Sequence, residues 1–225
     1  MILTMADTRI VSFHDVLPEP TLSRLPWYLA YVSLLKVRRV AYVSSTAIAR
    51  GIHLDASMVA KDLSFVNVRG KTRIGYEVVE LERELRSFLG FDRQHNAVIA
   101  GVGSLGAALI ADSGLQRYGL DIVAGFDVER SIIGTIISGV PVFDITQVAE
   151  VRADMQAEIG VIAVPVEQAQ AVADTLIDAG VSALWNFTPC RLLAPENIVI
   201  QNTSIYAHLA VMYNRINANN PDLTR

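Results

Sequence analysis

Residues 97–109 have the sequence Ala-Val-Ile-Ala-Gly-Val-Gly-Ser-Leu-Gly-Ala-Ala-Leu, and this stretch decides the fold. Its apolar start predicts a buried strand that leads into the pattern Gly101-x-Gly103-x-x-Gly106 and an alanine-rich helix. The three glycines permit a tight turn, a close approach of the backbone to a pyrophosphate, and close packing of the helix on the strand. The helix start would offer its free N–H groups to the phosphates. These features predict a dinucleotide site formed by Gly101, Val102, Gly103, Ser104, Leu105 and Gly106.

A second predicted strand, at residues 122–126, supports this interpretation because it ends in Asp127, 21 residues beyond Gly106. A carboxylate at this position can accept hydrogen bonds from both ribose hydroxyls and repel a 2′-phosphate, which favours NAD over NADP. Arg130 weakly favours NADP, but the negative charge of the neighbouring Glu129 offsets its positive charge. A Rossmann domain with an unused glycine pattern is the alternative.

The sequence after Asp127 continues to alternate between strands and helices. We predict strands at residues 140–143, 159–165 and 183–187, and helices at residues 145–151 and 166–179. Such alternation predicts a parallel sheet whose ligands bind at the carboxyl ends of the strands. The turns after the second and third of these strands should therefore face the nicotinamide half of the cofactor. They add Val164, Pro165, Asn186 and Phe187 to the predicted cofactor-binding residues.

The charge distribution separates the chain into a basic and an acidic part, although the net charge is only −4. Residues 21–75 carry nine lysines and arginines against two acidic residues, whereas residues 91–225 carry seven arginines against fourteen acidic residues. A basic segment of this kind indicates contact with a polyanion such as DNA. A solvated basic face without a partner is the alternative.

Three helices and a basic hairpin are predicted in the basic segment. The first helix occupies residues 21–39, the second begins at Ser44 and stops at Gly51, and the third is capped by Asp55. Alternating residues at 65–76 flank an Arg-Gly-Lys turn and predict a hairpin. Together these elements describe a winged helix-turn-helix, whose third helix would enter the major groove of DNA. A small helical domain that contacts protein is the alternative.

The predicted DNA contacts lie mainly on the third helix and the hairpin. Ser57 and Lys61 are one helical turn apart, on a face that can reach bases and phosphates. The hairpin carries more cations than folding alone would require. The predicted DNA-binding residues are Ser45, Ser57, Lys61, Arg69, Lys71 and Arg73.

The predicted fold class is α/β, with two domains and two flanking segments. The C-terminal segment has Ile205, Leu209, Met212 and Ile216 on one stripe, and a helix appended to a complete domain is suited to dimerisation. The parts are a tail at 1–20, a winged helix-turn-helix DNA-binding domain at 21–76, a linker helix at 77–92, a Rossmann-like NAD(H)-binding domain at 93–200 and a dimerisation helix at 201–225.

The sequence contains no recognisable set of catalytic residues. A dehydrogenase requires a proton donor or acceptor near the nicotinamide. Of the four histidines, only His208 on the terminal helix could approach a ligand, and Cys190 is interpreted as structural, with a reactive thiol as the alternative. We therefore predict no catalytic site and no metal site. The other three histidines are His14, His53 and His95.

Localisation is predicted from what the sequence does not contain. Residues 1–15 do not resemble a secretory signal, and no apolar run reaches the roughly 18 residues that span a membrane. A single cysteine suits a reducing compartment. We predict a cytoplasmic protein that does not contact a membrane.

The chain resembles the Rex family of redox-sensing transcriptional repressors over nearly its whole length. The resemblance implies a homodimer in which each subunit exchanges its terminal helix with its partner. It also implies that NADH closes the dimer and releases a palindromic operator, while NAD⁺ permits binding to double-stranded DNA. The matching motifs are Ser23-Arg24-Leu25-Pro26-x-Tyr28, Ser44-Ser45, Lys61-Asp62-Leu63-Ser64, Gly75-Tyr76, residues 85–90, Gly101-x-Gly103-x-Leu105-Gly106, Phe126-Asp127, Val164-Pro165, Ala169-Gln170-x-Val172-Ala173-Asp174, Ala179-Gly180-Val181 and Asn186-Phe187-x-Pro189.

The chain also departs from the family pattern. Ala60 stands where an arginine usually precedes Lys-Asp-Leu-Ser, and residues 66–69 replace a glycine-rich wing. Ala30 and Ser204 stand where the family carries an arginine and an aspartate that couple domain closure to DNA affinity. The coupling here is therefore weaker or built from other contacts.

Three hypotheses follow: a DNA-binding NAD(H) sensor, an NAD-dependent oxidoreductase with a basic accessory domain, and a dimeric scaffold that binds nucleotide but not DNA. Only the first accounts together for the basic segment, the intact glycine pattern and the missing catalytic groups. The operator sequence, the regulated genes and the ratio of NADH to NAD⁺ affinity do not follow from the sequence.

Overall fold

A computed structural model describes residues 17–219 of the chain. The predicted tail up to residue 16, with His14, and the last six residues of the predicted dimerisation segment lie outside the described part. The chain divides into two compact units, and the boundary falls between Asp92 and Arg93. We describe each unit by itself.

From residue 17 onwards, the first unit is built from four helices and a two-stranded antiparallel sheet. One face of the first helix packs its buried residues Leu25, Tyr28, Leu29 and Val32 against the other helices in a single apolar core. This helix begins two residues before its predicted start. The elements are α1 (Glu19–Val37), β1 (Tyr42–Val43), α2 (Ser45–Ile52), α3 (Ala56–Leu63), β2 (Tyr76–Glu77) and α4 (Val78–Phe88).

Local capping residues start α2 and α3. The Ser44 side chain accepts a hydrogen bond from the Ala47 N–H, and the Asp55 side chain accepts from the N–H groups of Ser57 and Met58. These bonds satisfy backbone donors that the first helical turn leaves unpaired.

The predicted stop of α2 at Gly51 is wrong. The helix continues to Ile52 and ends where His53 adopts a left-handed conformation, with φ of 57°. Gly51 is needed for packing instead, because a Cβ there would lie 2.3 Å from the ring of Tyr31 on α1.

The predicted hairpin around Arg69-Gly70-Lys71 is also wrong in position. Val66 is buried in the core directly after α3, and its N–H donates to the Leu63 carbonyl, so the chain turns there instead of extending. A tight turn forms at residues 71–75, here called the wing turn, and β2 pairs with the distant β1. The wing therefore depends on a strand that precedes the helix-turn-helix.

The second unit is a seven-stranded sheet with helices between most of its strands. Its strand order is β5-β6-β4-β3-β7-β8-β9, and all neighbours are parallel except the edge pair β5 and β6. The elements are β3 (His95–Ala100), α5 (Ser104–Ala111), α6 (Ser113–Arg117), β4 (Leu120–Asp127), β5 (Ile136–Ile137), β6 (Val140–Asp144), α7 (Val148–Asp154), β7 (Ile159–Ile162), α8 (Ala169–Asp178), β8 (Ala183–Asn186), β9 (Val199–Asn202) and α9 (Ile205–Asn219).

Two apolar clusters cover the two faces of this sheet. Along the central strand β3, Val98 and Ala100 belong to one cluster, whereas Ala97 and Ile99 belong to the other. Alternation along a strand directs successive side chains to opposite faces, and a parallel sheet covered on both faces reads as a continuous apolar run. The predicted parallel Rossmann-like sheet is confirmed, while strands β5 and β9 lacked a periodic signal and were not predicted.

The terminal helix α9 has no buried residue among those described. Its large apolar side chains Tyr206, Val211 and Tyr213 are all more than half exposed in the single chain. Exposed apolar side chains along one helix are typical of a surface that packs against a partner.

Candidate dinucleotide site and nucleic-acid interface

A pocket of about 260 Å³ lies at the carboxyl ends of β3, β4 and β7. Ligands of open α/β sheets bind at this edge, where strand order reverses around the first strand of the unit. Its lining combines the glycine turn with the ends of the neighbouring strands. The lining residues are Ala100, Gly101, Gly103, Phe126, Asp127, Val128, Ile145, Ala163, Val164, Pro165, Gln168 and Val172.

The glycines of the turn have different surroundings. Gly101 has φ of +90°, and a Cβ there would lie 2.5 Å from the Ala163 carbonyl oxygen. A Cβ on Gly106 would lie 2.0 Å from the Gly101 carbonyl oxygen, because α5 starts directly against the turn. A Cβ on Gly103 would meet nothing within 4 Å, so this glycine leaves open space at the pocket. A pyrophosphate needs that space to approach the backbone.

The start of α5 is open to an anion. Gly103 occupies the N-cap position without a side-chain cap, and Ser104 and Leu105 are exposed. The N–H groups of the first turn therefore keep free hydrogen-bonding capacity and a partial positive charge. Val102 differs from these residues because its side chain is 5% exposed and packs inward.

Asp127 holds the glycine turn in place. One carboxylate oxygen accepts the Val102 N–H at 2.7 Å, and the other accepts the N–H groups of Val128 and Glu129 at 2.8 and 3.0 Å. The sequence predicted a ribose acceptor at this position but gave no sign of these backbone contacts. A carboxylate has about four acceptor positions, so Asp127 retains capacity for a ribose hydroxyl.

The two later strands contribute in different ways. Val164 and Pro165 line the pocket, whereas Asn186 and Phe187 are not part of its lining. The Asn186 side chain is fully buried and makes four hydrogen bonds, to Cys190, Asn202 and Thr188, which use its donors and acceptors internally. Asn186 thus joins β8, β9 and the following loop, and it offers no polar atom to a ligand. Phe187 packs against Trp185 with the two rings tilted by 48° and their centroids 4.6 Å apart.

Three further pocket residues were not among the predicted cofactor-binding residues. Gln168 directly precedes α8, Val172 lies in its first turn, and Ile145 directly follows β6. Val172 belongs to one of the family motifs, whereas the only signal for Gln168 and Ile145 is their place close after a predicted strand, at the edge of the sheet where ligands bind.

The first unit presents the predicted cations to solvent. Lys61, on α3, and Arg69 and Arg73, around the wing turn, are exposed, and within the described residues their side chains make no ion pair. Lys71 is also exposed but donates a hydrogen bond to Tyr42.

The two predicted serines differ in how they are engaged. Ser45 is the first residue of α2 and is half-buried, whereas Ser57 is exposed on α3. The Ser57 hydroxyl already donates to Asp55 at the start of α3.

The sequence did not predict a buried hydrogen-bond network that fixes α3 against α1. The Asp62 carboxylate accepts from Arg24 Nε at 2.7 Å and Nη2 at 2.8 Å, from the Tyr28 hydroxyl at 2.6 Å, and from the Thr21 hydroxyl at 3.2 Å. Burial opposes ionisation of Asp62, yet hydrogen bonds from Arg24 and Tyr28 lower its pKa overall. Burial and the bond to Asp62 raise the pKa of Tyr28 to about 12. The network therefore fixes the position of α3 relative to α1.

The pH dependence of stability should follow from this network. The lowered pKa of Asp62 adds to the free energy of unfolding above the unfolded pKa of about 4, and this part is lost as pH falls through the folded pKa. The raised pKa of Tyr28 adds to the free energy of unfolding below pH about 10, and this contribution is lost as pH rises towards about 12. We expect Asp62→Asn to cost about 3 kcal/mol at neutral pH, because Arg24 is left uncompensated. Denaturant unfolding measured between pH 3 and pH 11 checks this expectation.

Tyr28→Phe is the matched control for the alkaline arm. It removes the ionisable hydroxyl but leaves the contact between Arg24 and Asp62, so the loss of stability above pH about 10 should disappear. A cost of Asp62→Asn that stays constant from neutral pH down to pH 3 would contradict the account.

Curated relatives match almost the whole chain. The redox-sensing transcriptional repressor Rex of Bacteroides fragilis is 54% identical over 202 residues, which cover 90% of this chain and 92% of the relative. The Rex repressor of Porphyromonas gingivalis is 55% identical over 199 residues, covering 88% of this chain and 91% of the relative. The chain belongs to the Rex family. The resemblance stated from the motifs is confirmed.

Solved Rex structures share the fold. RSP, a Rex-family repressor solved in complex with β-NAD⁺ and operator DNA, has a TM-score of 0.87 at 29% identity, covering 93% of this chain and 96% of RSP. RSP in complex with β-NADH has a TM-score of 0.81 and covers 93% of this chain and 98% of RSP. The predicted order of a DNA-binding domain followed by a Rossmann-like domain is confirmed.

Two family models match separate parts of this chain. A model described as the N-terminus of a putative DNA-binding protein matches residues 16–64, and one described as a CoA binding domain matches residues 92–190. The second match begins within one residue of the boundary between the two compact units. The chain thus consists of two modules that are separate in sequence and in structure.

The Rex relatives are named as regulators and not as enzymes. Within residues 17–219, no group of three or more His, Cys, Asp or Glu side chains is placed to hold a metal ion. No helix in this part of the chain has the length and apolar character needed to cross a bilayer.

Proposed function

We propose that the chain is a dimeric transcriptional repressor that binds operator DNA through its first unit and responds to the NADH/NAD⁺ ratio through its second. The observation that carries the proposal is the pairing of an open glycine turn, held by Asp127, with a unit whose Lys61, Arg69 and Arg73 are exposed. NADH releases the DNA, and NAD⁺ permits binding.

The cofactor roles follow from the geometry of the pocket. The first-turn N–H groups of α5 and the open side of Gly103 receive the pyrophosphate, while Asp127 accepts a ribose hydroxyl. Val164 and Pro165 border the path towards the nicotinamide half. When bound, NAD(H) supplies a redox-dependent charge on the nicotinamide ring, and an apolar border such as Val164 and Pro165 favours the uncharged reduced ring.

The DNA roles divide between α3 and the wing turn. Lys61 and Ser57 lie on the helix that enters the major groove, and Arg69, Lys71 and Arg73 contact backbone phosphates or the minor groove. Ser45 at the start of α2 contacts phosphate through its hydroxyl and the helix N-terminus.

The dimer buries the apolar side chains that a single chain exposes. Helix α9 has none of its described residues buried, and on α1 Trp27, Leu34 and Val37 are exposed at spacings of seven and three residues. We infer that the α9 helices are exchanged between the two subunits, and that the repressor works in the cytoplasm.

The effect of the cofactor on DNA binding tests this function. We expect NADH to weaken operator binding about 5- to 150-fold more than NAD⁺ does, which is the usual range for coupled sites. The probe is a palindromic duplex selected by the wild-type chain from a random-sequence library with NAD⁺ present. Fluorescence anisotropy gives the Kd with NAD⁺, with NADH and with neither.

NADPH is the matched control, because Asp127 should repel its 2′-phosphate and leave DNA binding nearly unchanged. Equal operator Kd values in NADH and NAD⁺ would show that the nucleotide has a structural role. Failure to select any duplex would remove the DNA-binding function itself.

A further inference from the structure

The wing turn carries a lysine whose ammonium group is hydrogen-bonded to a tyrosine of β1. Lys71 Nζ donates a hydrogen bond to Tyr42 Oη at 3.1 Å, and the same nitrogen lies 5.1 Å from the centroid of the Tyr42 ring. The two residues are 29 positions apart in the chain, so only the fold brings them together.

The backbone of the wing turn is fixed by the same strand. Lys71 and Gly75 exchange two backbone hydrogen bonds, of 2.8 and 2.9 Å, which close the turn. Gly75 has φ of +101°, and a Cβ there would lie 2.4 Å from the carbonyl oxygen of Val43, the neighbour of Tyr42. Because β1 meets the turn this closely, both the backbone and the ammonium group of Lys71 have defined positions.

Lys71 is thereby distinguished from the other exposed cations of this surface. Within the described residues, the side chains of Lys61, Arg69 and Arg73 make no hydrogen bond. A free lysine loses rotamer entropy when a ligand immobilises it, and a lysine that is already held loses less. The ammonium group has three donors, and Tyr42 accepts only one of them, so two remain for an anion.

Lys71 keeps its positive charge in this contact. The hydrogen bond to Tyr42 raises the pKa of Lys71 above its ordinary value. Phosphate is the anion that a basic surface of a DNA-binding unit meets, and lysine binds it as a point charge.

We propose that Tyr42 is a positioning residue for DNA binding, which holds the Lys71 ammonium group ready to donate to a backbone phosphate of the operator. Tyr42 acts through Lys71 and not by reading a base. The inference rests on the proposed DNA-binding function and adds to it a residue outside the helix-turn-helix and the wing turn.

A double-mutant cycle on the selected operator duplex tests the proposal. We expect Tyr42→Phe to weaken binding about three- to tenfold, since the phenyl ring stays but the hydrogen bond is lost. Lys71→Ala should weaken binding by at least as much and lower the salt slope of log K by about 0.9. Tyr42→Phe should leave that slope unchanged, because the phosphate contact survives. In the Lys71→Ala background, Tyr42→Phe should have no further effect.

Tyr31→Phe is the matched control, since it removes a hydroxyl from the same unit that makes no hydrogen bond to a cation within residues 17–219. It should leave the operator Kd at the wild-type value. Denaturant unfolding and NADH binding of each variant separate a loss of fold from a loss of positioning.

Two results would overturn the proposal while leaving DNA binding intact. One is a Tyr42→Phe effect of equal size in the presence and absence of Lys71, and the other is a Lys71→Ala variant that binds as tightly as wild type. A wild-type chain that selects no duplex at all would overturn this proposal together with the proposed function.

Discussion

The Gly103→Val variant should fold like the parent chain and bind NADH about 100-fold more weakly. Gly103 has φ of −71° and open space around its Cβ position, so valine is accepted by the backbone and by the neighbouring atoms. Its side chain would fill the space that the pyrophosphate needs beside the first turn of α5. Losing two charge-assisted hydrogen bonds, at about 1.5 kcal/mol or more each, accounts for an effect of this size.

Isothermal calorimetry measures the NADH affinity of the variant, and denaturant unfolding measures its stability. Gly106→Ala is the informative comparison, because its Cβ would lie 2.0 Å from the Gly101 carbonyl oxygen and must displace the turn. We expect Gly106→Ala to lower both stability and NADH affinity, whereas Gly103→Val lowers affinity alone. Wild-type affinity in Gly103→Val would show that the dinucleotide does not bind at this turn.

Removing three cations from the first unit should produce the largest loss of DNA affinity. In the triple variant Lys61→Ala, Lys71→Ala, Arg73→Ala, a cation that contacts a base should cost about 1–3 kcal/mol, and each phosphate contact that is lost should lower the salt slope by about 0.9. All three side chains are exposed, so their removal leaves the core intact. Anisotropy titrations at several salt concentrations give both quantities.

A control variant distinguishes the loss of specific DNA contacts from a general loss of positive charge. Arg93→Ala with Arg191→Ala removes two exposed cations from the second unit. Operator affinity and salt slope should stay close to wild type in this control. If the triple variant keeps wild-type affinity and slope, the predicted DNA-binding surface is wrong.

Local signals account for the parts of the fold that were predicted correctly. The caps at Ser44 and Asp55 act on backbone groups two or three residues away, so the nearby sequence contains all that they need. The strand, turn and helix at residues 95–111 form one continuous segment, in which Gly101 and Gly106 sit where backbone conformation or close approach excludes a side chain and Gly103 leaves open space.

Predictions failed or were missing where contacts join distant segments. Gly51 has the residue type of a helix stop, but packing against Tyr31 on α1 gives it another role. The wing was placed several residues too early because β2 pairs with β1, which lies before α2 and α3. Strand β9 has only four residues and little periodicity, and it is defined by its pairing with β8.

The candidate sites show the same division. Asp127 was identified from its spacing to the glycine turn, but the sequence could not show that its carboxylate binds the Val102 N–H, 25 residues away. Asn186 was assigned to the cofactor from its place after a strand, yet its four hydrogen bonds connect β8 with β9 and the loop that follows. Sequence position indicates the edge of the sheet, whereas side-chain direction depends on which neighbours satisfy the polar atoms.

The sequence by itself determined the class of the protein: two modules, a glycine turn for a dinucleotide, a basic segment and the family motifs. Each of these is a property of adjacent residues or of summed charge, so it can be recognised without knowledge of the contacts between distant residues. Only the tertiary structure decided that Arg24 and Tyr28 hold Asp62 on α3, and that Tyr42 holds Lys71 on the wing turn. These pairs are 38, 34 and 29 residues apart, and nothing in their local sequence favours one partner over another. Burial of the apolar faces of α1 and α3 brings Arg24, Tyr28 and Asp62 together, and these groups pair because an unpaired buried polar group costs free energy. The exposed Tyr42 meets Lys71 because β1 pairs with β2, the strand that follows the wing turn.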